Sequence, residues 1–90
     1  MIARVATFDR LPDDLDDGAV ELLRKTVRET PGYVAGFHMM DPASGKALSV
    51  AVFEDHNALT RVDEALAARP SERKVGIKPD RVEHYETIGF

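Results

Sequence analysis

The sequence contains neither cysteine nor tryptophan, and it has no long apolar run. Without cysteine the chain cannot form disulfides, zinc-thiolate sites, iron–sulfur clusters or a thiol nucleophile, so a reducing compartment is the expected setting. A membrane-spanning helix needs about 20 predominantly apolar residues, and residues 1–10 lack the apolar core of a secretory signal peptide. These absences predict a cytoplasmic protein that has no membrane partner.

Basic residues are outnumbered, with 12 Lys and Arg against 16 Asp and Glu, which gives a formal net charge of -4. Proteins that bind nucleic acid neutralise its phosphates with cations, so nucleic acid is not an expected partner. The 43% hydrophobic and 31% charged content is typical of a folded domain, and 90 residues enclose one hydrophobic core. We therefore expect residues 1–90 to form a single domain.

Two kinds of hydrophobic periodicity divide the chain into six segments. The predicted strands are residues 2–8, 33–40, 47–53 and 81–88. The first predicted helix runs from Leu15 to the stop signal Thr30-Pro31-Gly32, and the second from its cap residue Asp55 to just before Arg69-Pro70. The order βαββαβ predicts an α+β, ferredoxin-like fold, in which a four-stranded antiparallel sheet carries both helices on one face.

The face of the sheet without helices is predicted to be apolar. In the third strand, Leu48, Val50 and Val52 alternate with Ala51 and Phe53, so both faces of the sheet receive apolar side chains. A small protein rarely leaves such a face in water, and a second copy of the chain is the simplest cover. The sequence thus predicts a homodimer formed through the helix-free face. An RNA-recognition motif has the same element order, but this strand lacks its basic aromatic platform.

Residues 29–37 read Glu-Thr-Pro-Gly-Tyr-Val-Ala-Gly-Phe, and residues 49–59 read Ser-Val-Ala-Val-Phe-Glu-Asp-His-Asn-Ala-Leu. Together with Ala6-Thr7-Phe8 and Leu11-Pro12 near the start, these stretches resemble the antibiotic biosynthesis monooxygenase superfamily of dimeric α/β barrels. The resemblance spans essentially the whole chain. It implies a protein that binds or oxidises a small hydrophobic or aromatic molecule without a cofactor. The alternative is a non-enzymatic structural or interaction dimer with a filled core.

The same resemblance implies that haem is not a cofactor. Members that degrade haem use an asparagine on the first strand, a tryptophan at the end of the third strand and an axial histidine after the second helix. The aligned positions here are Ala6, Phe53 and the histidine-free stretch 67–74. The cofactor-free members rely on polar and tryptophan residues in the cavity between sheet and helices.

The alignment places a ligand pocket between the sheet and the helices. It would be lined by the small residues Ala6, Ser49 and Ala51, with Phe53 at the end of the row, and would suit a small apolar ligand. The competing interpretation is a packed core in which helix residues fill this space. Those residues are Leu22, Leu23, Leu59 and Leu66.

Three polar residues are candidates for catalysis: His84, Arg4 and Ser49. In the simplest strand register His84 lies beside Ala6 on the cavity face. Arg4, inside a central strand, needs a partner: either an ion pair with Glu83 or Glu86, or an anionic ligand.

The histidines do not predict a metal site. His38 and His84 fall on opposite edges of the predicted sheet, and His56 falls in the first turn of the second helix. No spacing in the sequence brings the three together as ligands.

Overall fold

Four strands and two helices alternate along the chain in a computed structural model that describes residues 1–68 and 78–90. The elements are β1 (Ile2–Phe8), α1 (Asp17–Arg28), β2 (Tyr33–Met40), β3 (Ala47–Phe53), α2 (His56–Ala67) and β4 (Arg81–Glu86). The predicted order βαββαβ is confirmed. Residues 69–77, which include most of the stretch aligned with an axial histidine, lie outside the described residues.

The strands form one antiparallel sheet in the order β2-β3-β1-β4. This is the predicted ferredoxin-like topology, with β2 and β4 at the edges. The bounds of β1, β2 and β3 match the prediction. The strand β4 ends two residues earlier than expected, because Glu86 pairs with Ile2, where β1 begins. Beyond it, the Thr87 N–H still donates a backbone hydrogen bond to the Met1 carbonyl over 3.0 Å.

Aspartate side chains set where both helices begin. The predicted cap of α2 is confirmed, since the Asp55 carboxylate accepts a hydrogen bond from the Ala58 N–H at 3.0 Å. The predicted start of α1 at Leu15 is wrong. Asp16 has an extended backbone and caps the helix by accepting from the N–H groups of Gly18 and Ala19, so the helix itself begins at Asp17.

The hydrophobic core lies under α2. Phe53 is fully buried there and meets the ring of Tyr33 edge-on, with 6.1 Å between ring centroids. The core residues are Ile2, Phe53, Ala58, Leu59 and Val62. By contrast, α1 contributes no fully buried residue. The two helices therefore cover the same face of the sheet unequally.

The helix-free face carries the apolar residues predicted for it. The register places Val50 opposite both Val5 and Phe37, and Phe37 is 60% exposed. On this face β1 presents Ala3, Val5 and Thr7, and β3 presents Leu48, Val50 and Val52. These two strands therefore offer no aromatic platform of the kind that RNA-recognition motifs use. Neither helix in the described part of the chain is long and apolar enough to cross a membrane.

The turn between α1 and β2 brings Gly32 against α2. Gly32 has a φ of 95°, and a Cβ atom at this position would lie 2.7 Å from the Cβ of Ala58. Gly45 also has a positive φ, of 78°, but a Cβ there would lie 3.5 Å from the Arg10 Cγ, an ordinary contact. Of these two glycines, Gly32 is the one that combines a left-handed backbone with a close approach to another element.

We expect Gly32→Ala to destabilise the protein more than Gly45→Ala. The left-handed backbone alone costs ~1 to 2 kcal/mol in either variant. The overlap with Ala58 adds a further ~1 to 3 kcal/mol in Gly32→Ala, because a packed contact must move apart. Urea unfolding at matched protein concentrations measures the difference. Equal losses in the two variants would contradict this account of the turn.

Candidate functional site

A cavity of about 340 Å³ lies between the helices and the sheet, on the side covered by α1. Its apolar walls come from both helices and from β3. They are formed chiefly by Leu23, Val27, Ala51, Phe53, Val62 and Leu66. The volume falls within the range of about 300 to 1,000 Å³ that is typical of small-molecule sites.

Small residues on the sheet leave this space open. Gly36 pairs with Ala51, and Ser49 lies two residues before Ala51 on the same face of β3, so these three residues present short side chains or none at the cavity floor. A Cβ atom at Gly36 would lie 2.9 Å from the Tyr33 hydroxyl oxygen. The glycine therefore gives room to the tyrosine, whose side chain also lines the cavity.

The predicted pocket residues are placed as follows. Ser49, Ala51 and Phe53 line the cavity. Ala6 does not line it: this residue is buried on β1, one strand further from β2 than Ser49, its partner on β3. On β1, the residue that reaches the cavity is Arg4.

The four leucines expected to fill the space leave it open. Leu59 belongs to the core, and Leu22 is 42% exposed at the surface of α1. Leu23 and Leu66 stand at the cavity wall. These four side chains therefore leave a space between the helices and the sheet.

Arg4 pairs with Asp63, which is not one of its predicted partners. Its Nε atom lies 3.3 Å from Oδ1 of Asp63 on α2, an ion pair without hydrogen-bond geometry. The predicted partners are wrong for two reasons. Glu83 pairs with Val5 and so points to the opposite face, while Glu86 pairs with Ile2, further along the strand.

His84 lies opposite Arg4 rather than beside Ala6. The register differs from the prediction by two residues because contacts at the start of β4 fix it. There, the Asp80 carboxylate accepts a hydrogen bond from the Asp9 N–H at 2.7 Å, and Arg81 pairs with Asp9 at 3.1 Å. His84 keeps the predicted face, but it is exposed and does not line the cavity.

An arginine and a histidine meet at the exposed side of the cavity. The Arg24 Nε–H donates to Nδ1 of His38 at 3.1 Å, so the neutral ring carries its proton on Nε2. Partial burial lowers the pKa of His38, and the Arg24 charge lowers it further. Both effects favour the neutral imidazole.

A carboxylate on α1 holds the two cavity arginines of that helix. Glu21 accepts from the Arg28 Nη2 at 3.1 Å and from the Arg24 Nη1 at 3.5 Å. The hydrogen bond from Arg28 is the main cause that holds the pKa of the Glu21 carboxyl below its usual range. All three side chains are about half exposed.

Arg24 and Arg28 are not among the residues predicted for the site, and His38 is predicted only as an edge histidine. The two arginines could have been predicted from their spacing. Each follows an apolar residue of α1, Leu23 or Val27, and therefore lies at the border of the apolar face of the helix. For His38 the signal was its separation of two residues from Gly36, which places both on one face of β2.

Solved structures share this fold over nearly the whole chain. A Bordetella bronchiseptica protein that is provisionally assigned as an antibiotic biosynthesis monooxygenase has a TM-score of 0.72 at 15% identity, covering 97% of this chain and 96% of that one. SnoaB, a cofactor-independent oxygenase from Streptomyces nogalater, has a TM-score of 0.64 at 14% identity, covering 99% and 91%.

A third such structure contains a ligand. It is a monooxygenase from the gene ActVA-Orf6 of Streptomyces coelicolor in complex with Nanaomycin D, with a TM-score of 0.58 at 18% identity, covering 99% of this chain and 88% of that one. No model of a known protein family matches the sequence, and no curated protein matches it. The resemblance to the monooxygenase superfamily is thus confirmed at the level of the fold.

We expect Arg24→Gln to raise the pKa of His38, because the substitution removes the positive charge beside the ring. The pKa stays below its ordinary value, since partial burial remains. An NMR titration of the imidazole measures both shifts, and Lys25→Gln, one residue along the exposed side of α1, serves as the control. An unchanged pKa in Arg24→Gln would contradict the Arg24–His38 contact.

The sign of the pH effect on stability follows from the same lowered pKa. As the pH falls, the unfolded chain binds a proton at this histidine before the folded chain does. The contribution of His38 is therefore complete above its unfolded pKa and is lost as the pH falls through the folded value.

Proposed function

We propose that this protein is a homodimer that binds a small aromatic or similarly flat apolar molecule in the cavity beneath α1. The observation that carries the proposal is the cavity of about 340 Å³, whose apolar walls are joined by six polar or charged lining residues. Sites of this composition bury the apolar surface of a ligand and orient it with a small number of polar contacts. Tyr33, which is partly exposed, supplies aromatic surface for such a ligand.

Cofactor-free oxidation of that molecule is the finer part of the proposal. It is supported by the shared fold with SnoaB and by nothing in the geometry of the cavity. Of the three candidates for catalysis, Arg4 and Ser49 line the cavity and are positioned to contact a ligand. His84 lies outside the lining, so we assign it no role there.

The helix-free face supports the proposed dimer. Its apolar residues on β1 and β3 continue onto β2 with Phe37, while β4 adds Tyr85 beside the charged Glu83, and both aromatic side chains are at least half exposed. Contiguous apolar surface of this kind on a small chain marks an interface. A second copy could meet it face to face around a two-fold axis, which makes the same patch serve both partners. The cytoplasmic location expected from the sequence stays a prediction.

The dimer is tested by placing a charge in the middle of the helix-free face. We expect the wild-type chain to sediment at twice 10.0 kDa and Val50→Asp to sediment as a monomer or to unfold, because a buried unpaired carboxylate is costly. Ala43→Asp adds the same charge in the exposed turn between β2 and β3 and should remain dimeric. A wild-type protein that stays monomeric at micromolar concentration would overturn the dimer.

The cavity is tested by filling it. Ala51→Leu adds three carbon atoms that can enter the open space, so we expect a loss of less than ~1 kcal/mol in stability together with loss of ligand binding. Ala47→Leu is the matched control, because Ala47 lies on the same face of β3, is buried and does not line the cavity. Overpacking there should cost ~1 to 3 kcal/mol.

Thermal melts of both variants, with and without 2-naphthol and related aromatic compounds, measure these effects. If Ala51→Leu is as unstable as Ala47→Leu, and no aromatic compound stabilises the wild type, the space is packed core. The protein is then a structural dimer without a ligand site.

A further inference from the structure

We propose that the ligand of this cavity carries a carboxylate, which the arginines at the open side of the cavity bind. The inference rests on the proposed function, because it names the chemical class of the molecule that the cavity holds. The observation that supports the inference is the charge of the residues that line the cavity. Arg4, Arg24 and Arg28 all line the cavity, and none of its described lining residues is acidic.

This charge is opposite to that of the protein as a whole. The chain has a formal net charge of -4, so three arginines around one small cavity are a local reversal of sign. The local charge remains positive when the acidic partners of the arginines are included. Asp63 balances Arg4, while Glu21 alone is shared between Arg24 and Arg28. One positive charge therefore remains uncompensated among these five groups.

The remaining charge is at the α1 side, where hydrogen-bond donors are also left over. Arg24 uses Nε for His38 and Nη1 for Glu21, and Arg28 uses Nη2 for the same carboxylate. Among the described residues, the Nη2 of Arg24 and the Nη1 of Arg28 take no part in these hydrogen bonds, so both nitrogens can donate to a ligand. Guanidinium groups suit carboxylates in particular, because the two planar groups can form paired hydrogen bonds.

The neighbouring histidine adds to this preference. With Nδ1 occupied by the Arg24 Nε–H, the neutral ring of His38 offers an N–H donor at Nε2 and no acceptor. The polar end of the cavity thus presents donors, while Val27, Ala51 and Leu66, which are partly buried against the core, present only apolar surface. A flat apolar molecule with one carboxylate matches both ends.

The test uses two probes of nearly equal shape, 2-naphthoate and 2-naphthamide, which differ in charge at pH 7.5. We expect calorimetry to show that the protein binds naphthoate about tenfold more tightly, since a charge-assisted pair replaces a neutral contact. Raising the salt concentration should weaken naphthoate binding and leave naphthamide binding unchanged.

Arg24→Gln should remove most of the naphthoate advantage while leaving naphthamide binding intact. Lys25→Gln is the matched control. It removes the same charge from the next residue of α1, where the exposed lysine faces Glu29 at 4.0 Å and does not line the cavity. This control should bind both probes as the wild type does.

The remaining outcomes of these binding experiments each contradict one particular claim. Equal affinity for the two probes overturns the carboxylate inference and leaves the apolar site standing. An Arg24→Gln variant that loses both probes equally, or a Lys25→Gln variant that loses the naphthoate advantage, overturns the role of Arg24. Binding of neither probe to the wild type overturns the proposed function together with the inference.

Discussion

The packing of Phe53 beneath α2 is the contact on which the rest of the monomer depends. This ring ends β3, is fully buried, and joins the sheet to the second helix through Ala58 and Val62. The turn at Gly32 passes directly over Ala58, so the entry into β2 is tied to the same point. By contrast, α1 contributes no buried residue, and the short residues of β2 and β3 leave a space beneath it. The cavity is a result of that unequal packing.

The polar groups around the cavity belong to α1, β1 and β2, and each is held in a different way. Arg4 is set among core residues and is opposed by Asp63 across the sheet–helix junction. Arg24 and Arg28 are arranged by a carboxylate on their own helix. Charges held near apolar surface are less screened than charges in open solvent. The positive charge of this small region can therefore attract an anionic ligand even though the chain as a whole is acidic.

Most of the fold, but only part of the site, could be predicted from the sequence. Alternating residues gave the three strands β1, β2 and β3 their bounds. Several aspartates precede α1, and any of them could cap it, so its start was placed too early. The alternation of side chains along a strand determines which face His84 occupies, but it does not determine which residue of β1 lies opposite. The contacts of Asp80 and Arg81 set that register. The sheet residues of the cavity were found, whereas Arg24 and His38 depend on how far a helix stands from the sheet, which no local pattern encodes.

The cavity opens between α1 and the edge strand β2, where Arg24, Arg28 and His38 are exposed. This position makes ligand entry depend on the geometry of association. Two chains that meet through their helix-free faces leave both entrances free, and each chain can exchange its ligand independently. Two chains that join along β2 into one continuous sheet place a neighbour beside each entrance. The choice of interface would then decide whether binding and assembly are separate events or compete.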